Sequence, residues 1–323
     1  MKPERRALTL PPLNTPTLRD LGEDALVARL IQDLPLSGDV IAGAGDDCAV
    51  LESPDPDRYE LLKTDCVVEG VHFFPGTPGE SVGWKALCRA VSDIAAMGGV
   101  PRAALVTLVA PPDRPVTEIE AWFRGLAKAA REYGVSVVGG ETSAPAPGSD
   151  SAMLSITLTG WVEKDRCVFR HGARPGDEIF VTGVLGGTLS GHHLHFRPRL
   201  EEARWLVHEH RPVAMMDLSD GLARDLRRLA QAGGVGFRIE TGSLPCRDGS
   251  SVAEALGDGE DYELLFCLPA EEGDVLLAAW SEKFPGVSLS RIGRVTTADE
   301  GFHFLDVEGE CARIPEGWGH FSH

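Results

Sequence analysis

Residues 82–111, VGWKALCRAVSDIAAMGGVPRAALVTLVAP, contain the change of hydrophobic period that decides the fold class. Trp84, Leu87, Val91 and Ile94 recur at helical spacing, and Gly98 with Gly99 stops the run. RAALVTLVAP then reads as a short apolar strand. A helix over about Val82–Met97 that hands directly to a strand belongs to an α/β or α+β protein. Upstream, YELLKTD (59–65) reads as a strand and GAGDDCAVL (43–51) as a loop. Before them, a Pro-rich arm leads to a helix over Glu23–Leu34, with Leu26, Leu30 and Leu34 in register and Pro35 and Gly38 closing it.

Downstream, Thr117 and Glu120 read as a capping box for a helix over Glu118–Tyr133, ended by Gly134, and VSVVGG (135–140) follows as a strand. The Pro, Gly and Ser residues of SAPAPGSD (143–150) mark a domain boundary, giving an N-terminal unit of 1–150 and a C-terminal α/β unit of 151–323. In the second unit SAMLSITLTGWV (151–162), DEIFVTG (177–183), VGFRIE (235–240), EDYELLFCLP (260–269) and VSLSRIGRV (287–295) read as strands. Helices are expected after the loop DLSDG (217–221) and near Glu271–Phe284.

The chain has 323 residues, 43% hydrophobic and 25% charged, which suits two cores at roughly 150 residues per domain. Its 31 basic and 49 acidic residues give a net charge of -18, which repels nucleic acid and anionic membranes. A polyanionic ligand would need a metal to approach it. MKPERRALTLPP lacks the apolar core of a signal peptide, and no segment approaches the roughly 20 apolar residues of a membrane span. A cytoplasmic location is therefore expected. The seven cysteines stand singly with no C-x-x-C pair, and are read as reduced, mostly buried thiols without a catalytic role. His192, His193 and His195 in HHLH, with His208 and His210, match no metal-binding spacing and read as a solvated loop.

The informative residues are carboxylates in turns and at element ends. Asp46 and Asp47 read singly as turn residues, and Asp220 as an N-cap for a helix starting near Gly221. Asp93 lies close to the C-terminal end of an apolar helix, where the helix dipole disfavours negative charge, so a cation should compensate it. Asp65 ends a strand, a common place for ligand-binding groups. With Glu141 after VVGG and Asp217 in DLSDG, and with no Walker lysine motif and no G-x-G-x-x-G, these acids suggest hard oxygen ligands for Mg²⁺ that would bridge to phosphates.

Six blocks occur in a fixed order: GAGDDCAVL, TDCVVEGVHF (64–73), KALCRAVSDIAAMGG (85–99), VFRHGARPGDEIFVTG (168–183), MDLSDGLARDL (216–226) and GEDYELLF (259–266). In that order they resemble the thiamine-monophosphate kinase family of the aminoimidazole-ribonucleotide-synthetase-like superfamily. The resemblance implies a two-domain α/β (α+β) fold whose N-terminal sheets pair in a homodimer. It also implies ATP- and Mg²⁺-dependent phosphorylation of thiamine monophosphate to thiamine diphosphate by direct in-line transfer. Catalytic metal ligands fall by family pattern on Asp47, Asp65, Asp93 and Asp217, and the wider metal set adds Lys63, Thr64, Glu141 and Asp220. Nucleotide contacts fall on Gly140, Glu141, Arg170 and Ser219, and substrate contacts on His72, Glu260 and Trp318. Without the family pattern, Trp318 reads as a residue that pins the chain end.

The family usually has Asp where Glu141 stands and Ser or Thr where Lys63 stands. It is also longer between Gly187 and Asp217, which implies a trimmed helix here. Aminoimidazole ribonucleotide synthetase and selenophosphate synthetase are the alternatives within the superfamily. The arm before Ile41 has no Cys of the kind selenophosphate synthetases carry, and the chain ends GWGHFSH rather than in the cysteine tail of the hydrogenase-maturation relative. A nucleotide-binding scaffold without turnover is the non-enzymatic alternative.

Overall fold

The computed structural model describes residues 16–312, 314–315, 317–319 and 321, so the Pro-rich arm lies outside the described residues. The chain divides into two units, Met1–Pro35 with Trp318–His323, and Leu36–Gly317. The terminal unit carries α1 (Leu18–Leu21), opened by a Thr17–Asp20 capping box, and α2 (Glu23–Ile31). The helix expected to reach Leu34 stops at Ile31. Leu34 precedes Pro35, and a residue before proline is pushed out of the helical region.

The larger unit holds two six-stranded sheets. The first is built from β1 (Val40–Ala42), β2 (Ala49–Glu52), β3 (Arg58–Val68), α3 (Gly79–Ala96), β4 (Val100–Val109), α4 (Val116–Glu132), β5 (Ser136–Ser143) and β6 (Met153–Glu163), with strand order β1-β2-β3-β6-β4-β5. Only β4 and β5 run parallel in it, because α4 supplies the crossover that a parallel pair needs. In β6, Leu154, Ile156, Leu158 and Val162 alternate into the core beneath α3. The second sheet follows from β7 (Glu178–Thr182), α5 (His192–His195), α6 (Leu200–Glu209), β8 (Ala214–Asp217), α7 (Leu222–Gly233), β9 (Gly236–Glu240), α8 (Val252–Gly257), β10 (Leu264–Leu268), α9 (Gly273–Lys283), β11 (Leu289–Thr296) and β12 (Phe302–Leu305), in the order β12-β9-β11-β7-β10-β8.

Helix α3 joins the two halves. A Cβ placed on Gly83 would lie 1.7 Å from the Trp122 carbonyl oxygen, and one on Gly125 would lie 1.8 Å from that of Glu80. Helices α3 and α4 therefore cross backbone to backbone, as only glycine permits. At its other end, Ala95 and Ala96 enter a core with Phe180, Met215 and Phe266 of the second sheet. That contact brings the last turns of α3 to the end of β8.

Several expectations are corrected here. SAPAPGSD is a connection between β5 and β6 of one sheet, since β6 pairs with β3 from Arg58↔Glu163 to Val68↔Met153. The passage between sheets accordingly falls after Glu163, beyond the boundary expected at 150. Thr117 is already inside α4, which starts after Pro115 without a side-chain cap. GAGDDCAVL is a loop only through Cys48, because Ala49 opens β2. The HHLH segment is a short helix, not a solvated loop. His193 is buried with Nδ1 2.8 Å from the Thr188 carbonyl oxygen, and His192 Nε2 lies 3.0 Å from that of Asp261. Carbonyl partners for the ring nitrogens are what allow this burial.

Both α5 and α6 form between Gly187 and Asp217, the stretch read as shortened. All seven cysteines are unpaired; Cys48, Cys88 and Cys267 are buried, while Cys311 is exposed. Among the described residues no helix is long and apolar enough to cross a membrane.

Candidate active site

After its first turn, helix α3 is apolar except for a stripe at i, i+4 and i+8, Lys85, Arg89 and Asp93, with Ser92 beside it. Lys85 is fully buried, and its ammonium donates to the His72 carbonyl oxygen at 2.7 Å and to Glu260 Oε2 at 2.5 Å. Burial lowers its pKa to about 8, against the pull of Glu260. Arg89 donates to Asp65 through Nε (3.2 Å) and pairs with it through Nη2 (3.0 Å), with Nη1 3.6 Å from Glu260. Ser92 Oγ donates to Asp217 Oδ2 at 2.6 Å, and Lys63 Nζ to Asp93 Oδ1 at 2.7 Å. Lys63 is the cation that the helix-end position of Asp93 called for.

Asp47 from the β1–β2 loop, Asp93 from α3 and Asp217 at the end of β8 converge, one carboxylate oxygen from each lying within 4.8 Å of the others. All three are buried. Arg170 holds Asp47 from outside, Nη2 to Oδ1 at 2.7 Å, and its backbone N–H donates to Asp46 at 2.6 Å. Burial and the charge of Asp47 push Asp217 up to about 7. Asp93 also rises, through burial reinforced by Asp217, Asp65 and Asp47 against the pull of Lys63. Asp65 goes the other way, because Arg89 and Lys63 outweigh its burial.

Three convergent hard oxygens that repel one another suit a hard divalent cation such as Mg²⁺, whose charge would relieve that repulsion. A test follows from the sign. With Asp217 near 7 in the folded chain against an ordinary 3.8, the folded state holds the extra proton between those values. The contribution of Asp217 to the stability of the cation-free protein should therefore fall as pH rises from about 4 to about 7 and level off above. Melting temperatures across that range should show the slope; Asp217→Asn should reduce it by the Asp217 share and leave that of Asp93, and saturating Mg²⁺ should reduce it as well. A flat wild-type profile without Mg²⁺ would contradict this account.

The family model for AIR synthase related protein, N-terminal domain, matches residues 45–162, and that for its C-terminal domain matches 186–306. A thiamine-monophosphate kinase of Aquifex aeolicus is 36% identical over 332 residues, covering 94% of this chain and 99% of that protein. The chain belongs to the thiamine-monophosphate kinase family. Its relative from Rhodopirellula baltica is 36% identical over 274 residues, with 79% and 84% covered. A solved structure described as AaThiL complexed with AMPPCP and TMP matches with a TM-score of 0.79 at 33% identity, covering 95% of this chain and 99% of that one. The two matches leave residues 163–185 between them, where the chain passes from one sheet to the other.

Of the positions expected from the family pattern, Asp47, Asp93 and Asp217 meet directly. Asp65, His72 and Glu260 are tied to one another through Arg89 and Lys85, which share α3 with Asp93. Ser219 and Asp220 follow Asp217, and their backbone N–H groups donate to Asp225 Oδ2 at 3.0 and 2.9 Å. Asp220 is not the N-cap of α7; that position is Gly221, with φ 100°. The Asp220 carboxylate instead pairs with Arg228 at 2.5 Å.

Thr64, Gly140 and Glu141 are not brought to the cluster. Alternation along β3 sends the Thr64 side chain to the opposite face, with Oγ1 3.5 Å from Thr157 Oγ1. Gly140 and Glu141 lie on the exposed edge strand β5, and Glu141 stands outside the three-carboxylate group. A Cβ on Gly140 would lie 1.8 Å from the Val106 carbonyl oxygen, so strand pairing alone requires this glycine. Trp318 is 39% exposed and belongs to the terminal unit. Lys63, placed in the metal set by position, has only donors on its ammonium and cannot ligate a cation. Lys85, Arg89 and Ser92 were missed, although the polar stripe in KALCRAVSD carried the signal.

Proposed function

We propose that this chain transfers the γ-phosphoryl group of ATP to the phosphate of thiamine monophosphate, giving thiamine diphosphate, with Mg²⁺ required. The convergence of Asp47, Asp93 and Asp217, in a chain of this family, carries the reading. These three would hold Mg²⁺, with Asp65 at their margin. When bound, the ion neutralises charge on the transferring group and orients it.

Arg170, fixed by Asp47, would add a charge-assisted contact to the nucleotide phosphates, with Ser219, Gly140 and Glu141 completing the nucleotide side. Asp220 joins the metal set in this reading. The acceptor oxygen is an ionised phosphate at neutral pH, so the site needs no strong general base. The buried Lys85 bridges His72 and Glu260, the two groups assigned to the thiamine phosphate, and so fixes their spacing.

We place Trp318 at the same substrate. Its indole face would attract the permanently cationic thiazolium by about 0.5 to 2 kcal/mol. Trp318→Ala should raise the KM for thiamine monophosphate about tenfold, since about 1.4 kcal/mol is one decade, and leave that for ATP unchanged. Equal loss for both substrates with a lowered melting temperature would assign Trp318 to anchoring the chain end.

A homodimer through the first sheet is also proposed. By register Leu62, Thr64, Thr157, Thr159 and Leu105 share the face turned away from α3, and Leu62 and Leu105 are exposed there. A monomer mass by light scattering would refute it. Seven unpaired thiols suit a reducing cytoplasm. The net charge of -18 repels the phosphates of nucleic acid. The decisive assay is ADP release from MgATP that requires thiamine monophosphate, with thiamine diphosphate identified by chromatography. ADP release indifferent to thiamine monophosphate would overturn the function.

A further inference from the structure

We propose that Lys63 is a tethered cation of the acidic site: its ammonium fills a position at Asp93 that a divalent ion would otherwise take. The chain would then complete the site with one ion fewer than its carboxylates could hold. The inference rests on the reading that Asp47, Asp93 and Asp217 bind Mg²⁺.

Along β3, Leu61, Lys63, Asp65 and Val67 point to one face, with Leu61 and Val67 fully buried under α3. Lys63 is thereby directed inward from the same strand face as Asp65. Its Nζ lies 2.7 Å from Asp93 Oδ1, and the Asp93 side chain is only 8% exposed. Each of the other acids has a partner of its own. Asp47 takes Arg170, Asp65 takes Arg89, and Asp217 takes the neutral hydroxyl of Ser92. Both arginines hold acids other than Asp93, whereas Lys63 contacts the member contributed by α3.

A divalent ion on the same Asp93 oxygen would sit about 2 Å from it, within a few ångströms of the ammonium and with like charge. The two would repel each other across that oxygen and compete for it. An ammonium also differs from a bound ion in function. It brings one charge instead of two, carries no exchangeable water, and is present at any Mg²⁺ concentration.

The test counts ions. The metal-free full-length chain is titrated with Mn²⁺, and free Mn²⁺ is followed by electron paramagnetic resonance, with and without a non-hydrolysable ATP analogue. Lys63→Ser should bind one more Mn²⁺ per chain than wild type, while Lys63→Arg, which keeps the charge, should bind the wild-type number. Lys63→Met carries the same expectation as Lys63→Ser should the latter not fold. The same count in wild type, Lys63→Ser and Lys63→Met would overturn the proposal while leaving the metal site standing. No Mn²⁺ bound by any variant, with or without nucleotide, would overturn the metal-site reading itself and this inference with it.

Discussion

Asp217→Asn should lower phosphoryl transfer by about a thousandfold, the upper range for removing one preorganised electrostatic contact to the reacting centre, while the chain stays folded. The amide has the size of the carboxylate, and its oxygen can still accept the Ser92 hydroxyl that now lies 2.6 Å from Oδ2. What it loses is one of three charges crowded within 4.8 Å. The cation-free variant should accordingly melt no lower than wild type, since the change removes repulsion from a buried group. Asp93→Asn is the less clean experiment, because it deprives Lys63 of its carboxylate partner. ADP release at saturating substrates and Mg²⁺, set beside a melting curve, checks both halves. Activity within tenfold of wild type would remove Asp217 from the catalytic group.

The largest loss of stability is expected away from the reacting centre, at Arg199. Glu263 is 2% exposed, and Arg199 grips both its oxygens at 2.6 Å through Nε and Nη2. Thr182 Oγ1 donates to the same carboxylate at 2.7 Å and accepts from the Leu264 N–H at 2.8 Å. Arg199→Met leaves that carboxylate buried without its counter-ion, which costs about 3–5 kcal/mol. For domains of this size that is a fall in melting temperature of about 10 °C. Adding Glu263→Met should recover part of the loss, because the pair removed together leaves no stranded charge. A single-variant loss below about 1 kcal/mol would mean that water reaches Glu263. The effect should also reach the site, since Glu263 anchors the turn in which Glu260 and Tyr262 hold φ of 56° and 52°.

Long periodic segments were legible in the sequence. The α3 pattern and the β4 run that follows it formed within a few residues of expectation, and so did β6 and α9. Strand β8 was not legible, because the four residues AMMD are too short to show a period. SAPAPGSD reads as a linker because a Pro-rich loop inside a sheet has the same composition; only the β3–β6 pairing distinguishes them.

In the site, the position of Asp93 near a helix end announced the need for a cation. Parity along β3 would have named that cation, since Lys63 shares a face with Asp65 and Thr64 does not. No local rule could have paired Arg170 with Asp47, which are 123 positions apart. That contact exists only once both sheets are assembled.

The crossing at Gly83 and Gly125 makes the acidic site a fixed floor with adjustable walls. Where peptide meets peptide there is no rotamer to change, so α3 cannot slide to admit or expel a ligand. Asp47 and Glu260 are carried instead on loops, whose φ and ψ can turn. Opening for product release is thus confined to the rim, and exchange of backbone amides with deuterium should be slowest in the middle of α3 and faster in the β1–β2 and 257–263 loops. Equal protection in floor and rim would mean that the whole site breathes as one body.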